Sequence, residues 1–312
     1  MMAPMRAALP WFVIVNPAAG GGRARRRWPA LRAALERYGI PFTAALTTAP
    51  GHARQLAADA VATGERRLLV VGGDGTLHEV VNGLYAQHTA PLEQLVVAAA
   101  PGGSGNDWAH TMGFPASPGR LAAALAAGRC RRVDLGLATC RTPANDAGQS
   151  CVFHNVAGAG LDAAVLRRTP RRGPRALAYL GGLALTLPGF RAPGFRISTD
   201  RGARSGRFFM TLVAIGPDCG GGLRLAAGAL PDDGLLDLVA VDALPLWRVL
   251  GRLPRLFDGR LAADPAVHRL QFRNATIASD PHCEVQADGQ LIGTTPLELA
   301  LLPGALTALD CR

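Results

Sequence analysis

The sequence has 312 residues, of which 49% are hydrophobic, so it can form one large domain or two ordinary domains with a sizeable core. Its 33 basic residues are all arginines and outnumber the 23 acidic residues; the formal net charge of +10 indicates an anionic partner, such as a membrane surface or a polyphosphate. Aromatic residues are only 5% of the chain and no helix-turn-helix or zinc-finger pattern is present, which argues against nucleic acid, and the lack of lysine excludes Schiff-base chemistry.

The cysteines and the longest hydrophobic segment indicate the compartment of the protein and its relation to membranes. The six cysteines form no C-x-x-C pair and match no zinc-site spacing, so we expect reduced thiols in the cytoplasm. The apolar stretch LAYLGGLALTL at 177–187 has about half of the roughly 20 residues that a membrane-spanning helix needs. We therefore expect a cytoplasmic protein that can lie at the inner face of a membrane without crossing it.

Residues 1–130 alternate apolar runs with helical patterns, which is typical of a doubly wound parallel sheet. The predicted strands are 11–15, 40–46, 67–71 and 95–100. A glycine-rich or polar turn follows each strand, at 16–23, 47–51, 72–76 and 101–107. Because ligands of such sheets bind beyond the carboxyl ends of the strands, the four turns predict one binding edge.

Residues 131–312 have a different texture, with many short apolar segments and few helical patterns. The predicted strand segments are 133–140, 150–160, 195–200, 208–216, 235–244, 270–279, 283–292 and 297–309. One helical insert interrupts them at about 163–187. This pattern predicts a second, β-rich domain of the sandwich or barrel type, whose last strand can return toward the first domain.

The turn GGDGT at 72–76 has the composition of a phosphate-binding loop. Glycines let backbone N–H groups approach phosphate oxygens, and the following helix offers its positive end. We expect Gly75 to adopt a positive φ there. The alternative is a tight turn in which Asp74 only caps the helix.

The turn GSGNDW at 103–108 leaves the same two interpretations open, because Asn106 or Asp107 can cap a helix as well as bind a ligand. Asn16 and the glycines after it would be a weak signal alone, since they lack the dinucleotide-binding spacing and the acidic residue that contacts a ribose.

Several motifs together resemble the diacylglycerol kinase catalytic family, which includes bacterial lipid kinases and sphingosine kinases. The motifs are VNPAAGGG, TTAPGHA, GGDGTLHEVVNGL, PGGSGNDWA, VDLG, FHNVAGAGLDAAV, GGGLRLA and LPDDGLLDL. GGDG alone also occurs in NAD kinases and phosphofructokinases, whereas its combination with HEVVNGL and G-S-G-N-D is specific. The resemblance implies an α/β domain of the NAD kinase and phosphofructokinase type that binds ATP, followed by a β-rich, sandwich-like domain that covers the lipid.

The resemblance also implies site residues. It places nucleotide contacts at Asn16, Gly20, Thr47, Gly72, Gly73, Asp74, Gly75, Thr76, Leu77, His78, Ser104, Asn106 and Asp107. It makes Asp74 part of the reacting centre, where the carboxylate would orient Mg²⁺ or take the proton of the attacking hydroxyl.

Two further positions follow from the resemblance. LPDDGLLD at 230–237 is similar to the Mg²⁺ loop of the family, which implies a carboxylate ligand from Asp233 and carbonyl ligands from Leu230 and Leu235; the alternative is a plain turn. Asp162 matches a family position near the reacting hydroxyl, and the alternative is a helix N-cap.

One position departs from the family pattern. Bacterial members usually carry Asp-Gly-Glu near the carboxyl end, with the glutamate proposed as general base, whereas this chain has Asp288, Gly289 and Gln290. Glutamine cannot accept a proton at neutral pH. Either the base is Asp74 or Asp162, or the kinase is weak or inactive.

A basic cluster precedes the apolar stretch at 177–187. It consists of Arg167, Arg168, Arg171, Arg172 and Arg175. Arginines can meet anionic headgroups while an apolar run enters the membrane interface, so a peripheral contact with an anionic membrane is one interpretation. A solvated basic loop that leads into a core helix is the other.

The expected function is that of an ATP- and Mg²⁺-dependent lipid kinase. Its acceptor would be a lipid hydroxyl, as in diacylglycerol, phosphatidylglycerol or a sphingoid lipid. Two alternatives remain: a kinase of a soluble acceptor, similar to NAD kinase, and a nucleotide- or lipid-binding protein with little or no catalysis.

Overall fold

The computed structural model describes residues 9–142, 145–169, 175–245, 248, 251, 252, 255 and 259–311. The chain forms two compact units. The first contains Met1–Gly103, Met112–Arg132 and Leu306–Arg312, and the second contains Ser104–Thr111 and Val133–Ala305. Two of the predicted membrane-facing residues, Arg171 and Arg172, and the side chain of Arg175 lie outside the described part of the chain.

The first unit contains alternating strands and helices. Its strands are β1 (Trp11–Val15), β2 (Phe42–Leu46), β3 (Arg67–Gly72) and β4 (Val96–Pro101). The helices in chain order are α1 (Ala19–Arg37), α2 (His52–Ala62), α3 (Asp74–Ala86), α4 (Asp107–Thr111), which falls in the second unit, and α5 (Pro118–Ala127). The strands pair in the order β2-β1-β3-β4, all parallel, with Ile14 beside Ala45 and Val70. This is the predicted doubly wound α/β fold, and the apolar residues of β1, β3 and β4 lie in its core.

The second unit is β-rich. Its strands, two of which extend into the first unit, are β5 (Cys130–Thr142), β6 (Asn145–Phe153), β7 (Val156–Gly160), β8 (Gly194–Thr199), β9 (Gly202–Ala214), β10 (Leu236–Asp242), β11 (Val267–Phe272), β12 (Asn274–Asp280), β13 (Glu284–Ala287) and β14 (Gln290–Leu309). Antiparallel pairings run β9-β7-β13-β14-β12-β8 and return to β9, so six strands close a circuit. Large buried side chains such as Phe195, Phe208 and Phe272 pack in its core.

The helical insert consists of two helices, α6 (Leu161–Arg168) and α7 (Arg175–Thr186). They pack on the apolar residues of β9 and β10, with Val165, Leu183, Leu212 and Val239 buried in the contact. Within the described residues, no helix has both the length and the hydropathy to cross a membrane.

Three of the predicted apolar segments each contain a break between two strands. Segment 150–160 is interrupted at His154 and Asn155, whose backbone N–H groups donate to the Asp288 carboxylate. Segment 270–279 is interrupted at Arg273, whose N–H donates to Asp200. Segment 283–292 is a hairpin whose two-residue turn separates β13 from β14.

Candidate functional site

Three loops of the first unit are held together by backbone contacts that only glycine permits. Gly102 N donates to Gly72 O at 2.7 Å. A Cβ on Gly73 would lie 2.8 Å from Gly103 Cα, and a Cβ on Gly20 would lie 2.3 Å from Gly102 O. The glycines that follow β1, β3 and β4 are therefore required for the close approach of these loops.

Asn16 ties the first loop to the start of α3. Its Nδ2 donates to Thr76 Oγ1 at 2.9 Å, and its Oδ1 accepts a hydrogen bond from Ala18 N at 3.1 Å. Thr76 is buried, so this contact fixes the first loop against α3 from beneath. The structure thus brings together two of the predicted nucleotide-binding residues.

The fourth loop, which follows β2, is also anchored to α3. Thr47 is buried and its N–H donates to Val15 O at 2.9 Å. The Glu79 carboxylate accepts hydrogen bonds from Gly51 N at 2.9 Å and Ala53 N at 3.1 Å. Sequence reasoning missed Glu79, although a carboxylate inside the HEVVNGL motif was a visible signal.

The first turn of α3 places Asp74 half-buried at its first position. The N-cap residue is Gly73, whose extended backbone has φ −113°, so the alternative that Asp74 caps the helix is not supported. The expectation of a positive φ at Gly75 is wrong, because Gly75 lies inside the helix and has ordinary backbone geometry. Leu77 and His78 are buried, so the Leu77 side chain belongs to the core. The negative charge of Asp74, in the first turn of α3, is stabilised by the positive end of the helix.

Two exposed arginines lie at the edge of the same loops. Arg23 Nη1 donates to Gly103 O at 2.9 Å, and Arg27 Nη1 donates to Pro101 O at 2.8 Å. A carbonyl partner does not neutralise a guanidinium. These side chains supply positive charge in a chain without lysine.

Residues 104–107, the remainder of the turn that follows β4, belong to the second unit. Ser104 is exposed, and Asn106 adopts φ +61° just before α4. Asp107 is buried, and its carboxylate accepts hydrogen bonds from Gly221 N at 3.0 Å and Gly222 N at 2.8 Å. The observed bonds of Asp107 hold the glycine loop at 220–222 and do not support its predicted nucleotide contact.

Asp162 is a buried carboxyl group in the first turn of α6, where only 4% of the residue is exposed. The N-cap is Gly160, so the alternative role of Asp162 as a helix cap is not supported. Gln286 Nε2 donates to Asp162 Oδ2 at 3.1 Å, and a Cβ on Gly158 would lie 2.5 Å from the same oxygen. Burial raises the pKa of Asp162 to about 6.

An apolar cavity of about 80 Å³ lies within the second unit. It is lined by Leu161, Tyr179, Leu183, Phe209, Met210, Leu223, Leu225, Val241, Leu244, Arg252 and Leu261. Burial and the nearby charge of Asp162 raise the pKa of Tyr179, so the cavity wall and the carboxyl group are electrostatic neighbours. We refer to this space as the apolar cavity.

Asp288 has a structural role that was not predicted from the sequence. Its buried carboxylate accepts hydrogen bonds from the N–H groups of His154, Asn155 and Val156, each at 3.0 Å, and lies 2.8 Å from His154 Nδ1. With φ +47° it forms a tight turn with Gly289, whose φ is +79°. The Asp-Gly dipeptide was the available signal, because it is typical of two-residue hairpin turns.

Gln290 begins β14 directly after this turn and is exposed. The turn is linked to Asp162 through Gln286, whose Oε1 accepts the Gly289 N–H at 2.9 Å. Gln286 itself is buried and was not predicted. The Gln286 side chain therefore connects the Asp162 carboxylate to the turn before Gln290 and fixes their relative positions.

The LPDDGLLD loop gathers several carboxylates. Leu235 N donates to Asp233 Oδ1 at 3.0 Å, while buried Asp134 accepts hydrogen bonds from Gly234 N at 2.8 Å and Gly304 N at 2.6 Å. Burial and the nearby charges of Asp237, Asp134 and Asp232 raise the pKa of Asp233. Mutual repulsion of this kind is relieved by a bound cation. The carbonyl ligands from Leu230 and Leu235 stay a prediction.

The chain is similar to known proteins over nearly its whole length. Residues 10–138 match the model of the diacylglycerol kinase catalytic domain, and residues 155–310 match that of the YegS C-terminal NAD kinase beta sandwich-like domain. A Chromohalobacter salexigens protein named "Probable lipid kinase YegS-like" is 30% identical over 289 residues, covering 89% of this chain and 88% of that protein. A Mycobacterium tuberculosis protein named "Diacylglycerol kinase" is 29% identical over 304 residues, covering 96% and 94%. A Bacillus anthracis crystal structure, described as a diacylglycerol kinase, has the same fold, with a TM-score of 0.73, 20% identity and 98% coverage of both chains.

Proposed function

The chain belongs to the diacylglycerol kinase catalytic family, and from this premise we propose that it is an ATP- and Mg²⁺-dependent lipid kinase. The reaction would transfer the γ-phosphate of ATP to a hydroxyl group of a lipid of the diacylglycerol, phosphatidylglycerol or sphingoid class. The names of the relatives support a lipid acceptor over a soluble one.

The observation that carries this proposal is the apolar cavity, whose lining residue Tyr179 lies close enough to Asp162 for the charge of Asp162 to raise its pKa. Leu161 lines the cavity, and the following residue is a buried carboxyl group with a pKa of about 6. At pH 7 such a group is about nine-tenths ionised, so it can accept a proton from a hydroxyl. A hydrocarbon chain in the cavity would hold a lipid with its polar end near this carboxylate.

The loops of the first unit fit a polyphosphate. The glycines at 72, 73 and 102 let the loops approach one another closely, and the amino terminus of α3 adds positive potential. Arg23 and Arg27 would supply the cationic contacts to phosphate that lysine supplies in other phosphate-binding sites. When bound, ATP supplies the phosphoryl group, and these residues would bind and orient it.

The fit of Mg²⁺ rests on the carboxylates. Asp233, with three aspartates near it and a raised pKa, is suited to a structural ion, because hard cations prefer oxygen ligands. Asp74 at the start of α3 is the candidate for the reacting centre, as an ion ligand or as a proton acceptor.

The test is a radiolabelled-ATP assay over a panel of lipids with acyl chains of different lengths, with NAD as the soluble acceptor. We expect that the protein phosphorylates lipid, that this activity depends on added Mg²⁺, and that lipids with long acyl chains are preferred. Met210→Phe, which adds bulk to the cavity wall, should shift that preference to shorter chains by about tenfold, whereas the exposed Leu9→Phe should not. Phosphorylation of NAD alone would favour the soluble acceptor, and ATP binding without turnover on any acceptor would favour a non-catalytic protein.

A further inference from the structure

The loop at residues 47–51, which follows β2, lies at the carboxyl edge of the parallel sheet, where ligands of such sheets bind. We call it the threonine loop. Its first residue is fixed on the sheet, because Thr47 N donates to Val15 O at the end of β1 at 2.9 Å. The three residues after Thr47 are exposed. A ligand at this edge can therefore meet them, and its affinity depends on what holds their conformation.

Helix α2, which follows the threonine loop, is fixed on α3 by two sets of contacts. The Glu79 carboxylate of α3 accepts hydrogen bonds from Gly51 N and Ala53 N. Farther along, the two helices approach so closely that a Cβ on Gly83 would collide with Arg54 O. Since α3 begins at the glycine-rich turn after β3, α2 and that turn belong to one rigid frame.

The amino terminus of α2 is already occupied. Glu79 takes two of its N–H groups, and His52 N donates to Ala49 O at 3.2 Å. A carboxylate therefore meets the positive end of this helix, where a phosphate could otherwise bind. A nucleotide at this edge has to contact the exposed residues of the threonine loop instead.

His52, the first residue of α2, connects the rigid frame to the exposed part of the loop. Its Nδ1 accepts a hydrogen bond from Thr48 N at 3.1 Å and lies 3.0 Å from Thr48 Oγ1. Because a backbone N–H can only donate, this contact assigns Nδ1 as the unprotonated nitrogen and places the ring proton on Nε2. His52 is half-buried and Thr48 is exposed, so the imidazole braces the loop from the side of the helix.

We propose that His52 is a positioning residue for nucleotide binding, whose Nδ1 holds the threonine loop in the conformation that contacts ATP. The imidazole does not touch the nucleotide in this role. It lowers the conformational entropy that the loop loses when ATP binds. The inference rests on the proposed ATP-dependent function. Since the loop contacts ATP equally before and during phosphoryl transfer, the effect falls on the KM for ATP and not on kcat.

Two substitutions separate this role from a direct contact with the nucleotide. His52→Asn places Oδ1 where Nδ1 was and keeps an acceptor for Thr48 N, but it has no atom at the position of Nε2. His52→Leu keeps a side chain of similar bulk without an acceptor. We expect His52→Leu to weaken ATP binding about fivefold and His52→Asn to weaken it less than about twofold. His88→Leu is the control, because His88 is an exposed histidine beyond the end of α3, and it should bind ATP as the wild type does.

Affinity for ATP is measured by isothermal titration calorimetry with Mg²⁺ and without lipid, and urea unfolding checks that each variant is folded. The lipid assay then gives the KM for ATP and kcat. Equal affinity of the wild type and His52→Leu would overturn the proposal. So would an equal loss in His52→Asn and His52→Leu, because Nδ1 would then not be the atom that matters, or a lower kcat with an unchanged KM in His52→Leu.

The same measurements distinguish failure of this inference from failure of the proposed function. A wild-type protein that binds no ATP would contradict the proposed function and this inference with it. A wild-type protein that binds ATP, with the expected order of the variants, but phosphorylates no lipid would support the role of His52 and contradict the proposed function alone.

Discussion

Asp162→Asn should make the protein more stable at neutral pH, although it removes a candidate catalytic group. The wild-type carboxyl group is buried, and one described side chain, Gln286, donates a hydrogen bond to it. Asparagine keeps an oxygen acceptor for Gln286 Nε2 and has nearly the same shape. The variant therefore removes the cost of a buried negative charge while the packing against Gly158 and Gln286 is kept.

The magnitude follows from the pKa. Burial raises the pKa of Asp162 from 3.8 to about 6, a difference of about 2 units or roughly 3 kcal/mol. Because the folded-state pKa is the higher one, the wild type is at its most stable below about pH 4 with respect to this group. It loses the roughly 3 kcal/mol as the pH rises through about 6. The asparagine variant does not titrate, so its advantage should be absent near pH 4 and complete near pH 7.

Urea unfolding at a series of pH values from about 4 to about 8 measures this difference. Asp59→Asn on α2 is the control, because Asp59 is exposed and its carboxylate accepts a surface hydrogen bond from Gln55. Stability curves of wild type and Asp162→Asn that run parallel over the whole range would refute the reasoning. If Asp162 accepts the proton of the lipid hydroxyl, the same variant should also lose turnover, about 100-fold or more.

The remaining predictions concern three other positions. Asp74→Asn should lower phosphoryl transfer at least about 100-fold without a change in urea unfolding, and wild-type turnover in this variant would remove Asp74 from the reacting centre. Gly83→Ala should destabilise the protein by roughly 1–3 kcal/mol in urea unfolding, because the new Cβ would lie 2.2 Å from Arg54 O. Gly181→Ala should instead stabilise the protein by about 1 kcal/mol, because the space around its Cβ is open. Gln290→Glu should raise kcat by about 10²–10⁴-fold if no other base is present and change it little if Asp74 or Asp162 already serves; measuring kcat across pH decides between them.

The parallel sheet could be predicted from the sequence because its strands are short runs that consist mostly of apolar residues. Val13, Ile14, Leu69 and Val70 are completely or almost completely buried, and a run of this kind needs no knowledge of its neighbours to be recognised. Glycine-rich turns end the strands β1, β3 and β4. The observed strand boundaries lie within two residues of those predicted.

The interruptions of the β-rich segments could not be predicted in the same way, since distant carboxylates cause them. Asp288 accepts the N–H groups of His154 and Asn155 from more than a hundred residues away, and Asp200 accepts those of Arg273 and Asn274. A local apolar pattern carries no trace of such a partner. The reverse holds for the turn at 288–289, where the Asp-Gly dipeptide was visible but belonged to a motif that was interpreted for catalysis.

The glutamine at position 290 does not deprive the second unit of a possible base. Its neighbour Asp288 is committed to backbone N–H groups and His154, so that carboxylate has a structural role. Asp162 is different. Gln286 donates a hydrogen bond to one of its oxygens, and because burial raises its pKa to about 6, the carboxyl group is only partly ionised near that pH. Since Gln286 also accepts the Gly289 N–H, Asp162 and the turn before Gln290 are positioned together. A proton acceptor can therefore sit at 162 while Gln290 orients a hydroxyl, and in that arrangement restoring glutamate would add a second negative charge without adding a needed base.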